Sequence, residues 1–123
     1  MKKLVLLLVF STSFLSFSQG QVELNDIAAA QLYKSQKIKD SLVIALLKIN
    51  TTDSIFIKTF EASEKHWNIF VEEQFKLKFP EYKSWETRRE VYGSQFDMLH
   101  YQFMKLYCDL RISTLHILQF KNI

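Results

Sequence analysis

Turn-forming residues are scarce in this chain of 123 residues, which contains one proline and two glycines. A sheet with several hairpins needs such residues at its turns, whereas long helices do not. From Glu23 onward, apolar side chains recur every three or four positions, as at Leu24, Ile27, Ala28 and Leu32. That spacing is the period of an α-helix. The sequence therefore predicts an all-α protein built from a few long helices.

The same spacing predicts three main helices, the first over residues 23–49 and the second over about 54–79. Asn50 to Asp53 form the break between them, with Asp53 or Thr52 as the N-cap of the second helix. Pro80 ends the second helix, because the residue before a proline disfavours helical geometry. A helical turn is expected around residues 85–91, and the third helix begins near Gly93 and Ser94. We expect an antiparallel bundle or hairpin.

Each of the last two helices carries one apolar stripe at helical spacing, which predicts its buried face. In the second helix the stripe comprises Phe56, Phe60, Ser63, Trp67, Phe70 or Val71, and Phe75. In the third it comprises Phe96, Leu99, Phe103, Leu106 or Tyr107, Leu110, Thr114 and Ile117.

The N-terminus is typical of a secretory signal peptide. Lys2 and Lys3 precede an apolar run that starts at Leu4, and Ser16-Phe17-Ser18 forms a small-x-small cleavage site. We expect cleavage after Ser18, so that residues 1–18 are removed and residues 19–123 form one helical domain. A retained membrane anchor is the alternative. No cysteine lies near the cleavage site, so a lipid anchor is not expected and the protein is predicted to be periplasmic or secreted.

The charge balance excludes a nucleic-acid-binding role. Removal of Lys2 and Lys3 lowers the 16 basic residues to 14, against 13 acidic residues. Nucleic-acid binding requires a concentrated basic patch, and here the charges alternate along the helices. Contact with a membrane is expected only through the signal peptide before it is cleaved.

No arrangement of residues predicts catalysis, a metal or a cofactor. His100 and His116 are too far apart on one helix to share a metal, and His66 has no partner ligand one turn away. The glutamate pairs one turn apart are expected to be solvated. Cys108 is the only cysteine; it has no histidine base beside it and is predicted to be a packing thiol. We therefore do not expect an enzyme.

The residues around Trp67 and after Gly93 resemble a known family. The stretch Ser63-Glu64-Lys65-His66-Trp67, followed by Gly93-Ser94, Met98, Arg111 and Leu115, resembles the lysozyme inhibitor LprI-type domain over residues 56–118. This domain is a small exported bacterial helical module, and the matched positions are expected to be structural. Phe75 and Phe103 stand where the family carries its two disulfide cysteines. The resemblance therefore suggests an aromatic contact in place of the disulfide.

The resemblance also implies how the second and third helices align. If residues 75 and 103 face each other in antiparallel helices, Trp67 faces Arg111, while the pairs Phe60–Leu118 and Val71–Tyr107 also meet. Arg111 over Trp67 would be a cation–π contact, with Glu64 as the partner of the guanidinium. These side chains either hold the helices together or present their edges to a partner.

The resemblance implies a non-catalytic exported helical protein that binds a partner protein, for which a lysozyme is the first candidate. Since lysozymes are generally basic, the predicted docking surface is acidic and comprises Glu61, Glu64, Glu72 and Glu73. One alternative is an envelope scaffold or interaction module that does not inhibit lysozyme. Another is a carrier of apolar ligands, because an aromatic-rich bundle can enclose a cavity.

Overall fold

The part of the chain that the structure describes is mostly helical and contains no strand. The structure is a computed structural model that describes the backbone of residues 2–119 and the side chains of residues 20–119. Its helices are α1 (Lys2–Ile49), α2 (Ser54–Lys78), α3 (Arg88–Tyr92) and α4 (Phe96–Leu118). The all-α prediction is confirmed. The predicted signal peptide lies outside the residues with described side chains. Within the searched residues, no helix combines the length and apolarity needed to cross a membrane.

The break between α1 and α2 forms as the sequence predicts. Asp53 is the N-cap residue, and its carboxylate accepts a hydrogen bond of 2.9 Å from the backbone N–H of Phe56. This bond satisfies one of the backbone donors that a helix start leaves without a partner. At the other end of α2, Phe79 is the C-cap residue directly before Pro80.

Gly93 separates α3 from α4. Its φ of 82° lies in the region that side chains with a Cβ atom rarely adopt, and its N–H donates to the carbonyl of Arg89 at 2.8 Å. The glycine therefore ends α3, and α4 begins at Phe96, slightly later than predicted. Ser94 is exposed and lies between the two helices.

The central helix is α4, because both α1 and α2 pack along it. The Ser35 hydroxyl of α1 binds Asp109, and Leu42, further along α1, lies near His116, so α1 runs parallel to α4. Antiparallel packing of α2 brings Phe75 against Phe103 and Trp67 against Tyr107. The three main helices thus run up, down and up.

Two apolar clusters close the ends of this arrangement. At one end, Leu46 of α1, Phe60 of α2 and Leu115 of α4 are buried together. At the other end, Phe79 and Phe96 pack edge to face with 5.0 Å between ring centroids. Leu115 is the residue of α4 that joins Phe60 in this core cluster, whereas Leu118, the predicted partner of Phe60, is 40% exposed.

The prediction of a single buried stripe on α4 is only partly correct. Phe96 and Phe103 are buried, as expected. However, Leu106, Leu110 and Ile117 are 56%, 46% and 65% exposed. The buried face of α4 instead includes Arg111 and Cys108, with Leu115 completely enclosed.

Replacement of the α2 N-cap should destabilise the fold measurably. We expect Asp53→Ala to lower the free energy of unfolding by about 1 kcal/mol, because an orphan backbone N–H loses its acceptor. Urea denaturation measures the change. Thr52→Ala is the matched control, since Thr52 is exposed and is not the cap residue. Equal losses in the two variants would contradict the assignment.

Candidate functional site

Three charged side chains of α4 form hydrogen bonds to residues of the neighbouring helices. Asp97 binds arginines of α3, Asp109 binds a serine of α1, and Arg111 binds a glutamate of α2. Asp97 and Arg111 are buried, at 5% and 6% exposure. Since an unpaired buried charge is strongly destabilising, these contacts determine which residues of α4 can face each partner.

Arg111 joins α4 to α2 through charge-assisted hydrogen bonds. Its Nε donates to Glu64 Oε1 at 2.7 Å, and its Nη2 lies 2.5 Å from the same oxygen. Nη2 also donates to the Ser63 hydroxyl at 3.1 Å. The guanidinium and the carboxylate therefore satisfy each other inside the helix interface, as the register inferred from the resemblance predicts.

Aromatic rings cover the same guanidinium. The Cζ atom of Arg111 lies 5.5 Å from the centroid of the Trp67 ring and 6.0 Å from that of Phe60. Both distances fall within the range of cation–π contacts. Because Arg111 is buried, its contact with Trp67 holds α2 and α4 together and offers no guanidinium edge to a partner.

Phe75 and Phe103 are in contact, as the resemblance suggested. Their ring centroids are 5.8 Å apart with the ring planes at 69°. Phe75 also packs edge-on against Tyr82 and His100. The remaining family-motif positions lie in the same scaffold: Met98 is half-buried on α4 and Leu115 is part of the core.

Asp97 anchors the short helix α3 to the start of α4. Its two oxygens accept from Arg88 Nε at 2.6 Å, from Arg88 Nη2 at 3.1 Å and from Arg89 Nη2 at 2.6 Å. The Arg88 guanidinium also lies 3.8 Å from the centre of the Trp85 ring. Hydrogen bonding to Arg88 lowers the pKa of the Asp97 carboxyl, although burial opposes the shift. This ion pair was not anticipated from the sequence.

Asp109 links α4 to α1. It accepts from the Ser35 hydroxyl at 2.5 Å and from Lys105 Nζ at 2.6 Å. The hydrogen bond from Lys105, followed by that from Ser35, lowers the pKa of the carboxyl. Ser35 is 4% exposed, so the small hydroxyl lets the two helices approach closely while its polar group is satisfied.

The outer face of α4 consists of Leu99, Gln102, Leu106, Leu110, Ser113 and Ile117. At about 100° per residue, these positions share one side of the helix. None of the six is charged, and the four apolar residues are separated by seven, four and seven positions. Such spacing is typical of a seam that packs against another helix. In the described chain, α1 and α2 occupy the other sides of α4.

A cleft of about 390 Å³ lies between α1 and α2, with α4 as its floor. Gln36 and Lys39 border it on the α1 side, and Asn68 and Glu72 border it on the α2 side. The aromatic and sulfur-containing side chains that line it are Trp67, Phe75, Tyr82, His100, Met104, Tyr107 and Cys108. Its size is within the range of small-molecule pockets.

His100 is surrounded by rings. Its centroid lies 5.4 Å from Trp85, 5.7 Å from Phe75 and 5.8 Å from Phe96. The buried Nδ1 atom has no hydrogen-bond partner among the described residues. Burial lowers the pKa of the imidazole and Arg88 acts in the same direction, whereas Asp97 opposes the shift. The neutral imidazole therefore behaves as a packing ring at neutral pH.

Three of the four residues of the predicted acidic docking surface, Glu61, Glu72 and Glu73, are exposed, and the fourth, Glu64, is partly buried. Glu64 faces Arg111 in the helix interface, with its side chain 25% exposed. Glu72 lies 3.8 Å from Lys76 on the surface. Cys108 is buried beside the cleft, and the described residues contain no cluster of potential metal ligands.

Comparison with protein-family models, with curated proteins and with solved structures finds no match to this chain. The resemblance to the LprI-type domain therefore stays a prediction that rests on the residues quoted above.

Removal of the Glu64 carboxylate should destabilise the α2–α4 interface. Glu64→Leu leaves the Arg111 guanidinium buried without a counter-charge, and we expect it to lower the free energy of unfolding by about 2–3 kcal/mol. This loss is smaller than that of a fully enclosed pair, because Glu64 is partly exposed. Denaturation measures the loss, with Glu61→Leu on the exposed side of α2 as the matched control. Similar stability of the two variants would refute the role of the pair.

The burial of His100 should make stability fall in mild acid. Because its folded pKa lies below the ordinary value of 6.5, the unfolded chain takes up a proton that the folded chain resists. The free energy of unfolding is therefore unaffected by His100 protonation above about pH 6.5, and it decreases as the pH falls from there toward the folded pKa. The low pKa values of Asp97 and Asp109 act in a separate window, below their ordinary value of 3.8.

Urea denaturation between about pH 8 and pH 5 tests this expectation. His100→Phe should reduce the dependence on pH, whereas His66→Gln, which changes an exposed histidine, should not. An unchanged slope in His100→Phe would show that His100 does not cause the acid sensitivity.

Proposed function

We propose that this protein is a non-catalytic exported helical module that acts by binding a partner protein in the bacterial envelope. The observation that carries the proposal is the outer face of α4, which is uncharged and presents Leu106, Leu110 and Ile117 to solvent. A long uncharged helix face with regularly spaced large apolar residues is typical of an interaction surface.

The energetics favour an occupant for this face. Burial of one leucine side chain contributes about 1.5–3 kcal/mol. Leu106, Leu110 and Ile117 are each about half exposed or more, so a partner that covers them removes substantial apolar surface from water. The spacing of seven, four and seven residues suits an apolar helix of the partner, whose side chains would pack between those of α4.

The resemblance makes a lysozyme the first partner to test. Four of the family-motif residues, Trp67, Met98, Arg111 and Leu115, lie on α2 and α4. The contacts of Trp67 with Arg111 and of Phe75 with Phe103 are those that the resemblance implies. The uncharged face replaces the acidic surface as the proposed docking site. Because this face offers no charge to a basic partner, its binding should depend only weakly on salt. An envelope scaffold without lysozyme inhibition is the alternative.

The test combines a lysis assay with a variant of the outer face. We expect the purified protein to slow cell lysis by lysozyme, and Leu106→Asn with Leu110→Asn to weaken binding about 100-fold, from the loss of two buried leucines. The matched control is Ile44→Asn, which changes a residue that is 67% exposed on α1, on the side turned away from α4. Circular dichroism establishes that each variant is folded.

Unchanged lysozyme activity at a large molar excess would exclude the inhibitor role and favour the scaffold alternative. A photo-crosslinker at Leu110 then tests that alternative in intact cells, with the same group at Ile44 as the control. Absence of a protein adduct specific to Leu110 would overturn the proposed function.

A further inference from the structure

The cleft between α1 and α2 follows from unequal side-chain sizes at the two interfaces of α4. Ala28 and Ser35 are buried residues of α1, and Ser35 contacts Asp109 directly, so α1 lies close to α4. In contrast, Trp67 and Phe75 separate α2 from α4. The helices α1 and α2 meet at the cluster of Leu46 and Phe60, and the cleft of about 390 Å³ opens further along them.

The interior of the cleft suits an apolar body. Trp67 and Phe75 from α2 and Met104 and Tyr107 from α4 line it. Trp67 and Tyr107 pack against each other, with ring centroids 6.5 Å apart, so each ring is held in place by the other. Aromatic and thioether side chains bind apolar ligands through contact area and polarisability.

The rim of the cleft supplies one cation. Lys39 is half-buried on α1 and forms no ion pair within the described chain. Glu72, the acidic residue of the lining, already has Lys76 as a neighbour. Because the lysine stem is apolar and its ammonium is charged, Lys39 can cover a ligand chain and pair with an anionic end group.

We propose that the cleft binds a small amphipathic carboxylate of the fatty-acid type, with its aliphatic chain among the aromatic side chains and its carboxylate at Lys39. The site is independent of the proposed docking surface, because the cleft-lining residues Met104 and Tyr107 lie on a different side of α4 from Leu106 and Leu110. A partner protein on the outer face would therefore leave the cleft open.

Calorimetry with decanoate tests the proposal on the purified protein, with decanol as the uncharged ligand of equal chain length. We expect decanoate to bind more tightly than decanol, and Lys39→Gln to weaken decanoate binding about five- to tenfold by removing the charge. Lys34→Gln, an exposed lysine of the same helix, is the matched control and should bind like the unmodified chain.

Val71→Phe tests the position of the chain by filling the cleft, since Val71 lines it. We expect this variant to remain folded, as judged by circular dichroism, and to lose binding of both ligands. Absence of decanoate binding to the folded chain would overturn the proposal. Binding that persists in Val71→Phe, or that Lys39→Gln leaves unchanged, would overturn it as well. The variant Leu106→Asn with Leu110→Asn should bind decanoate normally, which separates this result from the proposed docking function.

Discussion

The inward-facing charges of α4 are the constraint on which the rest of the structure depends. Asp97 holds α3, Asp109 holds α1 and Arg111 holds α2, so each neighbour of the central helix is attached at a defined position. Apolar contacts are comparatively unspecific, because a core tolerates the exchange of apolar side chains of similar volume. The buried charges of Asp97 and Arg111 do not tolerate a shift of one helix turn, because it would leave them without their partners at a cost of about 3–5 kcal/mol. Asp109 is partly exposed and also pairs with Lys105, so its bond to Ser35 adds a weaker constraint on α1. These polar contacts therefore select one alignment from the several that the apolar residues permit.

The same arrangement explains the two surfaces for which we propose binding roles. Since the charges of α4 are directed toward α1, α2 and α3, the side of α4 that remains exposed is uncharged and rich in leucine. The side chains that separate α2 from α4 are large, whereas Ser35 lets α1 approach closely. This difference in spacing leaves the cleft between α1 and α2, on the side of α4 opposite its outer face. The outer face and the cleft are thus consequences of how one central helix distributes its charged, small and aromatic neighbours.

Local sequence signals predicted the end of α1 and both ends of α2 closely, whereas α1 begins at Lys2 and not near residue 23 as predicted. The buried face of α4 was predicted less well, because it depends on pairing between distant residues. Asp53 and Pro80 act within a few residues of their own positions, so their effects can be inferred directly. The buried face of α4 could not be inferred from periodicity alone. Arg111 finds Glu64 at a separation of 47 residues, and periodicity treats both as surface charges. Nor did periodicity indicate that Leu115, and not Leu118, is the fully buried leucine at this end of α4.

The contact between Phe75 and Phe103 shows how the α2–α4 pair can be held together without a covalent link at these positions. A disulfide here would stabilise the fold by about 3–4 kcal/mol through closure of the intervening loop. Phe75 instead contacts Phe79, Tyr82, His100 and Phe103, and aromatic pairs contribute about 0.5–1.5 kcal/mol each beyond area burial. The two contributions are of the same order. The aromatic contacts stabilise the folded state and do not depend on the redox potential of the compartment. The α2–α4 pair therefore keeps its alignment under reducing and oxidising conditions alike.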